Sequence, residues 1–333
     1  MQLGTRSLAV DSSRNLWKGL SAPMRRFVSH AILVFTMTAA VWTSVAANSA
    51  GMPALDPRLA GYPELEIRLT EDGIEAPASA SPGRTLLVEH NDEDYPGHAF
   101  VMRIPDDVPD SAILEALAGP AVAEETPEWF WRAEFLGNGD RAMPGRPAVA
   151  LVDLIPGHYL VGDPFRPTDQ FARFEVSTPA SAADAASDPH ADVIAELFEM
   201  GFALRDDVPT GRQVWEIRNT GAMLHEIAIF PVPAGATAEQ VTAAVSAELE
   251  VEFGGDPARA RATIDALGPD WKNWSADLVA GVGALSPQRS SWTQFDLEPG
   301  TYGAVCFVPE PTSMTPHLMM GMTDVFRVTG DTV

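Results

Sequence analysis

The residues best equipped for chemistry lie late in the chain. The 333-residue sequence contains one cysteine, Cys306, within 302-YGAVCFVPEPTSMTPHLMMGM-322. His317 and Met322 follow it, and His225 lies upstream. A thiolate and two imidazoles form a trigonal donor set, and a thioether supplies a weak axial fourth. The sulfur donors hold Cu(I) and the imidazoles suit both oxidation states, so a one-electron change needs little ligand movement. Coordination would also deprotonate and occupy the thiol.

Each residue alone has a plainer reading. Cys306 reads as a small buried hydrophobe, His225 as a core histidine bonded to backbone, and His317 as a surface-loop residue. Met319, Met320 and Met322 read as core filling, and any of these three or Met314 could be the axial donor. What favours a metal is the combination: a single cysteine, the donor order, and a His-x4-Met spacing just before a terminal strand. The expected site is one mononuclear copper held by His225, Cys306, His317 and Met322. The abundance of methionine also fits a Cu(I)-preferring site that carries copper rather than electrons.

The elements that must position these residues occur twice. Residues 179–191, PASAADAASDPHA, are small, polar and aperiodic and read as a linker. Before it, 65-LEIRLTEDGIEAPASASPGRTLLVEHNDEDYPGHAFVMRIP predicts two strands, a loop after Asn91, and a strand opened by His98. After it, 197-LFEMGFALRDDVPTGRQVWEIRNTGAMLHEIAIFPVP repeats the plan, with Asn219 and His225. Each half then turns helical (108-VPDSAILEALAG, and 235-GATAEQVTAAVSAELEVEF with Thr237 as N-cap). Each continues through a Gly-rich loop (136-LGNGDRAMPG and 280-AGVGALSPQ) and ends on a strand pair. Short Val/Ile/Phe/Tyr runs between Pro/Gly turns predict β-sandwiches. The expected units are 55–178 and 192–330.

Residues 192–330 resemble the cupredoxins, and in particular bacterial exported cupredoxin-like proteins. The resemblance rests on 219-NTGAMLHEI and on the Y-x-x-x-C-F-x-P…P-H-x-x-x-G-M ending over residues 302–322. It implies an all-β fold of two tandem cupredoxin-like Greek-key β-sandwiches with helical insertions. It places His225 on an early strand, Cys306 at the end of a late one, and His317 and Met322 on the loop into the last strand. The first unit matches in layout without the metal ligands. Asp163 falls where Cys306 would be, and His98 is expected at the early ligand position. Ten residues separate Cys306 from His317, a long gap for a blue-copper loop.

Composition sets the compartment and the partners. Residues 24–47, MRRFVSHAILVFTMTAAVWTSVAA, have the layout of a secretory signal peptide, so 1–47 is expected to be removed and the protein exported, periplasmic or extracellular. An uncleaved segment would be its only membrane contact. In an oxidising compartment a lone cysteine has no internal disulfide partner, and metal ligation gives it a role. Without 1–47, 17 basic and 45 acidic residues remain, a net of −28. That charge repels nucleic acid and favours a basic-surfaced redox or copper-exchange partner. Two further readings stand beside copper binding: a metal-free scaffold of two sandwiches, and a copper oxidoreductase. The tandem arrangement is similar to copper nitrite reductases and small multicopper oxidases. In those enzymes a second copper centre is usually marked by His-x-His pairs and a histidine beside the cysteine. The chain has neither, and an electron or copper carrier rather than an enzyme is expected.

Overall fold

The alternating apolar runs fold as strands throughout. The computed structural model describes residues 54–118, 127–163, 170–178, 187–252 and 255–330. The export-signal reading of residues 1–47 and linker residues 179–186 lie outside them. The first half supplies β1 (Glu64–Thr70), β2 (Gly73–Glu75), β3 (Ser79–Ala80), β4 (Gly83–Asn91), β5 (Phe100–Ile104), β6 (Glu134–Phe135), β7 (Ala148–Leu154), β8 (Gly157–Gly162) and β9 (Ala172–Val176). The second supplies β10 (Val193–Phe198), β11 (Gly201–Ala203), β12 (Asp207–Pro209), β13 (Gly211–Asn219), β14 (His225–Val232), β15 (Ala280–Leu285), β16 (Ser290–Leu297), β17 (Gly300–Val305) and β18 (Thr323–Thr329).

The two sets pair identically. One layer runs β2-β1-β4-β7 in the first half and β11-β10-β13-β16 in the second. The facing layer runs β3-β9-β8-β5-β6 and β12-β18-β17-β14-β15. In each half the first strand runs parallel to the fourth, β1 with β4 and β10 with β13. The result is an all-β fold of two tandem Greek-key sandwiches. Side-chain detail repeats as well. The Tyr159 hydroxyl donates to Ile155 O and that of Tyr302 to Glu298 O, both at 2.8 Å. Each ring stacks on a phenylalanine of the next strand, Phe174 or Phe326.

Helices enter at the same place in both halves, after β5 and after β14. They are α1 (Asp110–Ala118) and α2 (Glu128–Arg132), then α3 (Ala238–Glu252) and α4 (Pro257–Ala266). Thr237 caps α3 as expected. Its Oγ accepts from Gln240 N (3.3 Å), and Gln240 Oε1 accepts from Thr237 N (3.0 Å), a reciprocal pair that satisfies two orphan donors. α3 and α4 bury Val241, Val245, Leu249 and Ile264 in one cluster with Phe230, Phe307 and Leu318.

The halves are fused along both layers. β7 and β16 pair antiparallel at Leu151 and Trp292, so the two four-stranded sheets form one of eight strands. In the other layer Leu136 bridges Leu285. Gly137 N donates to Ala284 O (2.9 Å) and Gly283 N to Asn138 O (3.1 Å). The two Gly-rich stretches expected as loops thus meet each other, and residues 280–285 are strand β15 rather than loop. A Cβ on Gly137 would lie 2.9 Å from Leu285 Cδ1, and its φ of +69° lies in the left-handed region, so this close approach requires glycine.

Candidate metal centre

The site forms at one end of the second sandwich. Asn219 ends β13 and its amide donates to Met223 O and Leu285 O, both at 2.7 Å. Its Oδ1 accepts from Gly221 N (3.0 Å), and Glu199 accepts from Ala222 N and Met223 N (3.2 Å to the latter). These bonds pin the turn that delivers His225 to the start of β14. Sequence reasoning marked Asn219 as a strand end and missed this anchoring role. Its recurrence at Asn91, whose amide donates to Tyr95 O and Ala142 O, is the signal that could have revealed it.

The long gap between Cys306 and His317 folds as a hairpin. Glu310 N donates to Thr315 O, and Met314 N donates back to Glu310 O. The Glu310 carboxylate accepts from Thr312 N (3.0 Å) and Ser313 N (2.5 Å), which holds it down at about 2. His317 N then donates to Val308 O (2.9 Å) and Leu318 N to Cys306 O (2.8 Å), so the chain returns to where it left. Residues His317–Met320 make one 3-10 turn, closed by Gly321 at φ +105°. Met322 N donates to His317 O (2.9 Å), and Cys306 N donates to Met322 O (3.3 Å).

The donors converge. One ligand atom each from His225, Cys306 and His317 lie within 4.8 Å of one another. His225 Nδ1 is 3.2 Å from His317 Nδ1, and Cys306 Sγ is 3.5 Å from His317 Nδ1. All three side chains and Met322 are fully buried. Met322 shares the apolar cluster of Cys306, whereas Met319 and Met320 are 48% and 43% exposed and Met314 packs against a different cluster. Burial therefore separates Met322 from the other axial candidates. His317, expected at the surface, is fully covered: its turn is drawn inward by Leu318 and packs against α3.

Burial sets the protonation. It lowers both His225 and His317 to about 4, and for His225 the neighbouring His317 adds to the effect. Both rings are neutral near pH 7, each with a lone pair to offer. Burial, with the nearby Glu226 carboxyl as second cause, raises the Cys306 thiol. A cation among these donors would offset that cost and take the thiol proton's place. Among the described residues this is the one group of three or more His, Cys, Asp or Glu side chains close enough to share an ion.

Among the described residues the first half has no such group, for visible reasons. Asp163 follows β8 as Cys306 follows β17, and His98 N donates to its carboxylate (3.2 Å). Strand register places Phe100 opposite Gly162 and Ala228 opposite Val305. By that register Gly97, not His98, occupies the place of His225, and His98 corresponds to Glu226. The expectation that His98 keeps the early ligand position is corrected by one residue.

No family model matches the sequence, and no curated protein matches it. Solved structures do. An auracyanin from Roseiflexus castenholzii is 23% identical over 41% of this chain and 94% of its own, with a TM-score of 0.25. Auracyanin A, a "blue" copper protein from Chloroflexus aurantiacus, is 16% identical over 41% and 98%, with a TM-score of 0.24. A copper nitrite reductase from Nitrosomonas europaea is 11% identical over 80% and 93%, with a TM-score of 0.21. The fold is cupredoxin-like by its own strand order, with His225 opening β14, Cys306 closing β17 and His317 leading into β18.

Proposed function

We propose that the protein binds one copper ion through His225, Cys306 and His317, with Met322 as the axial donor, and serves as a one-electron carrier. The observation that carries this is the buried, converging donor triad. Edges of 3.2 and 3.5 Å suit a cation about 2 Å from each donor. Two neutral imidazoles and one thiol match the donor chemistry of copper. When bound, the copper would supply the redox couple. The chain's own residues hold the donors in place, exclude water and keep both rings deprotonated. Full burial of the triad favours a resident ion over one that is handed on. The reading of residues 24–47 as an export signal, and the acidic surface, would place this carrier outside the cytoplasm with a basic-surfaced partner.

Copper carriage is the second reading, favoured by the exposed Met319 and Met320 beside the buried His317. Copper content after equilibrium dialysis tests both. Wild type is expected to retain one copper per chain, and His317→Ala to retain none. Rapid transfer of Cu(I) from the loaded protein to a weaker thiol chelator would favour carriage. A wild-type protein that retains no copper would overturn both readings.

A further inference from the structure

The ladder between β14 and β15 slips at one point. His225 pairs with Leu285, but Ile227 pairs with Val282, so β15 carries one extra residue opposite Glu226. A bulge of this kind re-aims the side chains beside it. The first half meets β15 at this point. Ala284 O accepts from Gly137 N and Gly283 N donates to Asn138 O of the first half. Glu226 is 5% exposed and lines a cavity of about 10 Å³ together with His98 and Asp140 of the first half. Its backbone N points to Cys306 Sγ (3.4 Å), and its Oε1 accepts from Phe307 N (3.0 Å).

Glu226 therefore touches three things at once: the ligand before it in sequence, the turn that bears the thiol, and the face of the half that has no ligands. We propose that Glu226 is a positioning residue for the metal centre. Its carboxyl fixes the Cys306–Phe307 turn against β14, and the ligand-free half shapes that contact by meeting β15 at its bulge and enclosing the carboxyl. This gives the first half a role in the site without supplying a donor. The inference rests on the proposed copper site and deepens it.

Three variants of the full-length protein test it: Glu226→Leu, Glu226→Asp and Glu226→Gln. Each is titrated with Cu(II), and the visible band, the copper Kd and the metal-free Tm are recorded. The glutamine amide oxygen can still accept from Phe307 N, so Glu226→Gln should keep the wild-type band and a Kd within about threefold, since hydrogen-bond acceptance rather than charge is required. Glu226→Leu has no acceptor and Glu226→Asp withdraws it by one methylene. Both should weaken copper binding by about 10- to 100-fold, the range for groups that orient metal ligands, and shift the band. A purely structural Glu226 would move Tm and leave band and Kd alone. Should Glu226→Leu fail to fold, Glu226→Asp decides. A wild-type band and Kd in Glu226→Asp, or in both, overturns the proposal. Failure of the wild type itself to bind copper is a separate result that removes the site and not this contact alone.

Discussion

The two halves share nine strands, one pairing order and a repeated tyrosine–phenylalanine stack, yet among the described residues only the second brings two histidines and a cysteine together. The difference is local. At two matched positions the second half has His225 and Cys306 where the first has Gly97 and Asp163. In addition, the second half's final loop, between Cys306 and β18, is long enough to fold back as a hairpin and present His317 and Met322. The shared scaffold alone does not bring such a group together; the side chains of His225, Cys306 and His317 and one hairpin do. In return, the bare half contributes the junction, where Gly137 and Asn138 bond to β15.

The comparison can be broken at the ligand. Replacing His225 by the residue its counterpart carries, His225→Gly, should abolish the centre. Copper affinity should fall by at least a thousandfold, about 4 kcal/mol, with little change in far-UV circular dichroism. Retained affinity would mean that His225 is not a donor.

It can be broken next at the junction. Trp292 is 1% exposed, packs with Leu86, Leu151 and Val214, and lies 4.4 Å below the Arg84 guanidinium. Trp292→Ala should cost about 3–4 kcal/mol. Because one eight-stranded sheet crosses the junction and the facing layers are bridged at Leu136 and Leu285, denaturant melts of wild type should show a single transition. Two separated transitions in wild type would show that the halves unfold independently.

His98, the counterpart of Glu226, sharpens the comparison through pH. Burial, aided by the Arg141 charge, lowers its imidazole to about 4, below the unfolded value near 6.5. The unfolded chain therefore takes up this proton first as pH falls. The stability tied to the neutral ring is complete above about pH 6.5 and is lost toward pH 4, about 3 kcal/mol in all. His98→Asn should lack this increment. The wild-type and variant stability curves should diverge between pH 4 and 6.5, and parallel curves would refute a buried neutral His98.

The smallest effect is expected at the axial position. Met322→Leu conserves volume, so the metal-free protein should change by less than about 1.5 kcal/mol. The loaded protein should keep its visible band and shift its potential upward, since a weak thioether donor is lost. An unchanged potential would move the axial role away from Met322.

Much of this was legible in the sequence, because alternating apolar runs and Pro/Gly turns report strands directly, and the repeat reports itself. Cys306, His225 and His317 were legible as a set because cysteine occurs once. Three features were not. The register of His98 was misjudged by one residue, since the segments around it align almost as well one position off, and a single step exchanges the two faces of a strand. The edge pairing of Leu151 with Trp292 left no trace, because an edge strand and an inner strand can share the same alternation. The burial of His317 depends on a hairpin held by backbone bonds to Glu310 and on helix α3 packing above it, and neither has a compositional signature.

The central claim is that Cys306 is a copper ligand in a centre whose donors all come from the second half. The visible spectrum of the purified protein titrated with Cu(II), beside Cys306→Ser, tests it most directly. An intense copper–thiolate charge-transfer band that saturates at one equivalent and is absent from Cys306→Ser is the expected result. Tight Cu(II) binding with the same spectrum in both proteins, or no binding in either, would contradict it.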